Sequence, residues 1–540
     1  MNLLSLVLAL LASGEEPGHS HHAPQLGKVS FETTCSADAN ASFQRGLGWL
    51  HSFEYQRAER SFSEAAAADP RCGIAYWGVA MSYYHPLWAA PTADEFSKGR
   101  QALANARKTG AASARERDYA AAIGAFYDTA GDHRERVMAY VAAMEKLQAR
   151  YPEDREAAVF LSLALIAAGT LDTDPDYGME KRAGAMLNHV LKQEPDHPGV
   201  AHYLIHSFDY PALAELALPA ARQYAGIAPD SAHAQHMPSH IFTRLGLWDE
   251  AIRSNRAAEA AAREWGKASG MSGAWDQQLH AMDYLAYAYL QSGRDAEAQK
   301  VFQELTAVTK ASPTPTTAYA LTSIPARVLL ERRRWSEAAA FAMPAAFAGM
   351  EALSKHNWAE SNVSFANAVG AARNRDAIRA KAALARLAQI EASVVVAPGE
   401  YDWRKHVAIE RQIAEAWLAF AEGRKDDALR IMRAAADLDD ATEKHPVTPG
   451  AILPAREQLG ELLLELGRPA EALGEYEASL KRAPKRLAGV YGAARSARLA
   501  GDSVKAGRYY AELAELTRDG DAMRAEIQEA REFVARSAQR

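Results

Sequence analysis

Only two of the 540 residues are cysteine, Cys35 and Cys72. A thiolate-built zinc site and a disulfide-dense scaffold are therefore both excluded. C-x-x-C is absent, as are H-E-x-x-H, G-x-S-x-G and a Walker loop. The commoner redox, metalloprotease, hydrolase and nucleotide-cleaving enzymes lose their signatures with them. Catalysis is left undecided, with the balance against it. No excess of positive charge is present either: the formal charge is −7, with Lys and Arg scattered, so neither nucleic acid nor an anionic membrane surface is indicated. Beyond the N-terminus no run is long and apolar enough to span a bilayer. β-branched alternation is almost missing, which removes sheet folds.

What is present begins with an apolar run, Leu3 to Leu11, followed by the small residues Ala12, Ser13 and Gly14. This reads as a signal peptide over 1–14, although the usual basic residue before the run is missing. The expectation is an exported protein, periplasmic or secreted and soluble, with no transmembrane segment after cleavage. Residues 15–30, with His19, His21 and His22, are expected to be a flexible segment. In an exported chain Cys35 and Cys72 are a disulfide candidate.

The rest is periodic. Gly46, Ala58, Phe62, Ala65 and Pro70 mark one unit near the start; Gly467, Ala472, Tyr476 and Pro484 mark another, followed 34 residues on (467 to 501) by Gly501, Ala506 and Tyr510. Gly246 with Ala251 and Gly293 with Ala298 supply the middle. These spacings resemble the 34-residue tetratricopeptide repeat (TPR), whose small residues let paired helices pack closely. The fold class expected is all-α: a TPR-type right-handed α-solenoid of antiparallel helix pairs. Punctuation at 309–319, 394–403 and 441–450 divides it into N-terminal repeats (31–151), histidine-bearing repeats (152–308), middle repeats (317–395) and C-terminal repeats (400–540).

Chemistry gathers in two phrases, HPGVAHYLIHSF and SAHAQHMPSHIF. His202 and His206 form an H-x3-H pair, and His236 and His240 repeat it one period later (202 to 236). In repeat register His233, His236 and His240 take positions 2, 5 and 9 of a first helix, and His280, Asp283 and Tyr287 take the same positions in the next. At about 100° per residue these lie on one stripe, away from the packing face of Ala201, Leu204, Ile205 and Phe208. Histidines four residues apart can grip one ion. His202, His206, His236 and His240 are thus candidate ligands, with His280 and Asp283 completing or bridging a second site and His233 as a further candidate. Imidazole with one carboxylate suits a transition metal such as zinc, copper or iron, not calcium or magnesium. Pro238 breaks the helix among them, and residues 264–278 form an insert before the third histidine-bearing helix. His51, His85 and His445 read as cap, core-edge or turn residues.

The phrases DPRCGIAYWGVAMS, DHPGVAHYLIHSFDYP, HMPSHIFTRLGLW, LHAMDYLAYAYLQ and EKHPVTPGAILPARE resemble a family of exported bacterial TPR proteins over nearly all of the mature chain. The resemblance implies the solenoid, with positions 2, 5 and 9 lining its concave groove, where TPR proteins bind peptides or protein partners. It also implies that His202, His206, His233, His236, His240, His280 and Asp283 belong to the family pattern. Three functions follow: a scaffold with a His/Asp transition-metal site in the groove, a metal-free peptide-binding scaffold, or a metal-dependent hydrolase or oxidoreductase using Asp283 and Tyr287.

Overall fold

The computed structural model describes residues 23–538 except 88–89, 111–112, 172–173, 397–400 and 522. The expected signal peptide and His19, His21 and His22 lie outside the described residues. Among the described residues, helices follow one another from Ala37–His51 to Ala525–Ala538 without a β-strand, most of them packed on their neighbours in sequence. The protein is an all-α solenoid. No described helix is long and apolar enough to cross a membrane.

Ala-, Leu- and Glu-rich segments form these helices, and local chemistry starts them. Thr92 with Glu95, Ser113 with Glu116 and Asp132 with Glu135 make reciprocal capping boxes, each satisfying two backbone donors that a helix start leaves open. Pairing is then set by a recurring close approach. A Cβ on Gly46 or Gly78 would stand 2.9 or 2.3 Å from the Phe62 ring; one on Gly460 or Gly492 would stand 2.7 or 2.2 Å from Tyr476. The same spacing at both ends of the chain shows one device: an aromatic ring from a second helix sits between glycines of the two flanking first helices. Only a residue without Cβ allows that contact.

The superhelix also bends back on itself. Arg486, fully buried, donates to Glu331 (2.6 Å), to Glu457 (2.8 Å) and to the Tyr287 hydroxyl (2.8 Å). Arg524 bonds Asp295, and the Trp248 indole donates to the carbonyl of Lys485. The C-terminal repeats are thereby tied to the middle ones.

Cys35 and Cys72 are disulfide-bonded, with Cα atoms 4.8 Å apart. Reducing the bond, or replacing both residues by alanine, is expected to destabilise the N-terminal repeats by roughly 3–4 kcal/mol on the chain-entropy account. Urea titration followed by the fluorescence of buried Trp49 and Trp77 checks this.

Residues 23–30, expected to be loose, are held in place. Leu26 is buried against Gly48, the Lys28 amide donates to the carbonyl of Asp196, and the Gln25 amide donates to Asp230. The Thr/Pro stretch 309–319 likewise does more than join: Pro315 opens the helix Pro315–Glu331, capped by Thr314.

Candidate metal centre

Three consecutive first helices carry the histidines. His202 and His206 lie on Pro198–Phe208, whose first turn is capped by the His197 ring. Pro238, lacking an amide hydrogen, divides the next helix into Ala232–His236 and Pro238–Arg244; His233 and His236 precede the break and His240 follows it. His280 is on Asp276–Gln291. The stripe faces inward as its spacing predicts, but not into an open groove: all six rings are between 0% and 6% exposed. Phe53, held at a positive φ of 52°, covers one side with its ring 4.3 Å from that of His202. The stretch 443–451 covers the other. Its Pro446 and Thr448 carbonyls lie 3.2 Å from the Tyr284 hydroxyl, and Arg327 donates to the carbonyls of Gly450 and Ala451. Closing of the solenoid fills the concavity that repeat register alone leaves open.

The six rings form two groups. In one, the Nε2 atoms of His206 and His233 lie 3.1 and 3.2 Å from Nε2 of His202. In the other, Nε2 of His236 and Nε2 of His240 are 3.1 Å apart, and His280 offers a nitrogen within 4.8 Å of both. The opposite ring nitrogens decide what these contacts are. Nδ1 of His202 donates to the carbonyl of His51 (2.6 Å). Nδ1 of His236 faces Oδ1 of Asn255 (2.6 Å), an oxygen whose identity is fixed because the Asn255 amide nitrogen donates to the carbonyl of Ala251. Nδ1 of His240 faces the Asp209 carboxylate (2.9 Å), and Nδ1 of His233 faces Oε1 of Gln277 (3.3 Å). Each of these four Nδ1 atoms carries its hydrogen outward, so Nε2 of His202 and His233, and Nε2 of His236 and His240, present lone pairs to each other. Ligand imidazoles are oriented in this way, with the far N–H on a carbonyl, amide or carboxylate.

The rings are also held neutral. Burial, with the mutual repulsion of neighbouring imidazoles, keeps His202, His206, His236 and His280 well below the usual histidine range and His233 at about 3. Burial lowers His240 too, against the pull of Asp209. Burial alone would raise the Asp209 carboxyl; Lys444, Arg244 and the bond from His240 hold it well below its ordinary value. Both nitrogens of His280 lack a hydrogen-bond partner among the described residues, a costly arrangement for a buried ring with nothing to bind.

A third group, His51, Glu156 and His197, supplies the contrast. Nε2 of each ring donates to one Glu156 oxygen (3.0 and 3.1 Å). Nδ1 of His51 accepts from the Tyr203 hydroxyl, and Nδ1 of His197 accepts from the Val200 amide. Every ring nitrogen there meets a partner of opposite kind, so the group is a buried hydrogen-bonded hub. His51, read from sequence as a cap or core-edge residue, belongs to it, and Glu156 is the residue both rings share. His445 accepts from the Val447 amide within its turn, and His85 packs on Tyr55 beside Glu95.

Two expected residues point elsewhere. Asp283 accepts from Ser323 (3.1 Å) and faces Arg327 (3.5 Å), outside both histidine groups, because the next helix brings Arg327 to its side. The Tyr287 hydroxyl accepts from Arg486, which fixes it to the C-terminal repeats and away from the imidazoles. The tyrosine at the site is Tyr284, its ring 4.8–5.2 Å from those of His236, His240 and His280. Its spacing of four from His280 was the available signal. No repeat spacing marked Asp209, Asn255 or Lys444, since a loop, a second helix and a distant segment bring them together. His233, secondary by spacing, joins His202 and His206, while His236 and His240 join His280. Beyond the 443–451 stretch lies a cavity of about 120 Å³, lined in part by Arg244, Tyr401, His406 and Lys444.

No protein-family model matches the chain, and no curated protein does. Solved structures do match. A monomeric mutant of IFIT1 with Gppp-AAAA is 13% identical, with 90% of this chain and 98% of that one covered and a TM-score of 0.37. Cut9 from the APC/C hetero-tetramer Cut9–Hcn1 is 12% identical, covering 92% and 76%, at 0.35. Yeast Tom70 is 14% identical, covering 93% and 95%, at 0.30. These scores are low, and the all-α solenoid assignment rests on the chain's own helix pairs.

Proposed function

We propose that this is an exported TPR-type scaffold that holds transition-metal ions between its histidine-bearing repeats. One observation carries the reading: Nε2 of His236 and Nε2 of His240 face each other at 3.1 Å while both Nδ1 hydrogens are committed outward. Two neutral imidazoles so arranged have no hydrogen to share, and a cation between them removes the repulsion. Three nitrogens about 2.0 Å from one ion stand about 3.3–3.5 Å from one another, close to the 3.1–3.2 Å from His202 to His206 and His233 and the 3.1 Å from His236 to His240. Burial supports metal over a peptide groove, since a peptide needs the imidazoles at the surface. The disulfide supports export into an oxidising compartment. Three protein ligands per ion leave a coordination position open, as catalytic sites do; this favours a metal-dependent enzyme as the second reading.

The test is elemental analysis of untagged protein purified without nickel resin or chelator, beside a His236→Ala, His240→Ala variant. Wild type is expected to carry about one ion per group, and the variant to lose the ion of its altered group with helical content unchanged by circular dichroism. Wild-type protein without metal, even after incubation with excess zinc, copper and iron, overturns the reading.

A further inference from the structure

The charges around the two groups and their mutual placement bear on which ion they take and in what number. The groups are not separate sites on a rod. His233 and His236 stand on one helix, three residues apart, yet serve different groups, and their ring centroids are 6.3 Å apart. His206 and His240, also in different groups, are again 6.3 Å apart. Within a group the rings lie 4.2–6.1 Å apart. The step across is thus scarcely longer than the step within.

Three carboxylates beside the groups already have a cation. Asp209 is matched by Arg244 (2.8 Å) and Lys444 (3.4 Å), Asp283 by Arg327 (3.5 Å) and Glu54 by Arg57 (3.9 Å). The six ligands themselves are uncharged. A pair of divalent ions would bring four positive charges into a buried compartment where Asp209, Asp283 and Glu54 are already matched by cations, which is unfavourable. Monovalent ions halve that charge. Among first-row metals that imidazole suits, copper both binds most tightly in the divalent series and has a stable monovalent state content with three ligands.

Resting on the metal reading above, we infer that the two triads, His202–His206–His233 and His236–His240–His280, form one dinuclear centre for two copper(I) ions. Two equivalents of a one-electron oxidant take one electron from each ion, and a small anion drawn from solvent, bridging the two open positions, balances the added charge.

The experiment loads the full-length wild-type protein with copper(I) under anaerobic conditions, with zinc as competitor. It then oxidises the loaded protein with ferricyanide and records the electron paramagnetic resonance spectrum with and without azide. The expected result is two copper ions per chain retained against a tenfold excess of zinc. After oxidation a bridged, magnetically coupled copper(II) pair should give little or no signal, and azide should add a charge-transfer band. His280→Ala serves as the second variant, because its ring makes no hydrogen bond whose loss would disturb the fold. It should hold one copper and give the full signal of an isolated copper(II). Zinc displacing copper, or two copper(II) ions with the full signal of independent centres, overturns this inference and leaves the metal-holding scaffold standing. Wild type that retains neither ion overturns that reading instead.

Discussion

Arg486→Ala is expected to destabilise the protein by about 3–5 kcal/mol, the range for removing one member of a buried ion cluster. Arg486 is fully buried and pairs with both Glu331 and Glu457. Burial already raises the Glu457 carboxyl against the pull of that guanidinium. Without it two carboxylates face each other in a site closed to water. The Tyr287 hydroxyl loses its donor at the same time. Because the contacts join positions 155 and 199 residues apart, the C-terminal repeats should detach first. Urea unfolding followed by circular dichroism, with limited proteolysis near residues 441–450, reads both effects. The triple variant Arg486→Met, Glu331→Gln, Glu457→Gln separates charge from packing. Removing all three charges should recover most of the loss, since a buried ion pair replaced whole is often neutral.

Asp209→Ala is expected to weaken metal binding at the His236 group by 10–100-fold, the usual effect of deleting a carboxylate behind a ligand histidine. Asp209 is what keeps the His240 hydrogen on Nδ1 and the lone pair on Nε2. The substitution also leaves Arg244 with Glu443 as its remaining carboxylate and removes the one beside Lys444. Burial has already drawn Lys444 down to about 8 despite Asp209 beside it, so its loss of charge should absorb part of the imbalance. Competition against a chromophoric chelator measures affinity at each group. The His202 group, whose far nitrogen rests on a backbone carbonyl, should be unchanged. Equal affinity at both groups in the variant, with stability alone reduced, makes Asp209 a folding residue only.

Much of the architecture was legible because helix pairing is local. Gly46, Phe62 and Gly78, or Gly460, Tyr476 and Gly492, need only be spaced correctly for ring and glycines to meet. The histidine stripe was legible for the same reason, since helical period alone turns His202 with His206 and His236 with His240 to common faces. Which histidines share an ion was not. That depends on how far the broken helix at Pro238 advances against its neighbours, which sends His233 back to the preceding repeat. Asp283 shows the limit from the other side: its register matches the histidines, yet Arg327 from the next helix takes it.

The chain's own sequence therefore determined the helices, their pairing, the disulfide partners and the inward stripe of imidazole, all of which follow from spacing along one or two repeats. Tertiary structure alone decided that the stripe is sealed, that the rings divide into two triads, and that Asp209, Asn255 and the His51 carbonyl fix their tautomers. Those outcomes rest on contacts between residues far apart in sequence, such as Asp209 with Lys444, 235 positions apart. Repeat spacing carries no record of such contacts, because they arise only when the superhelix turns far enough to meet itself.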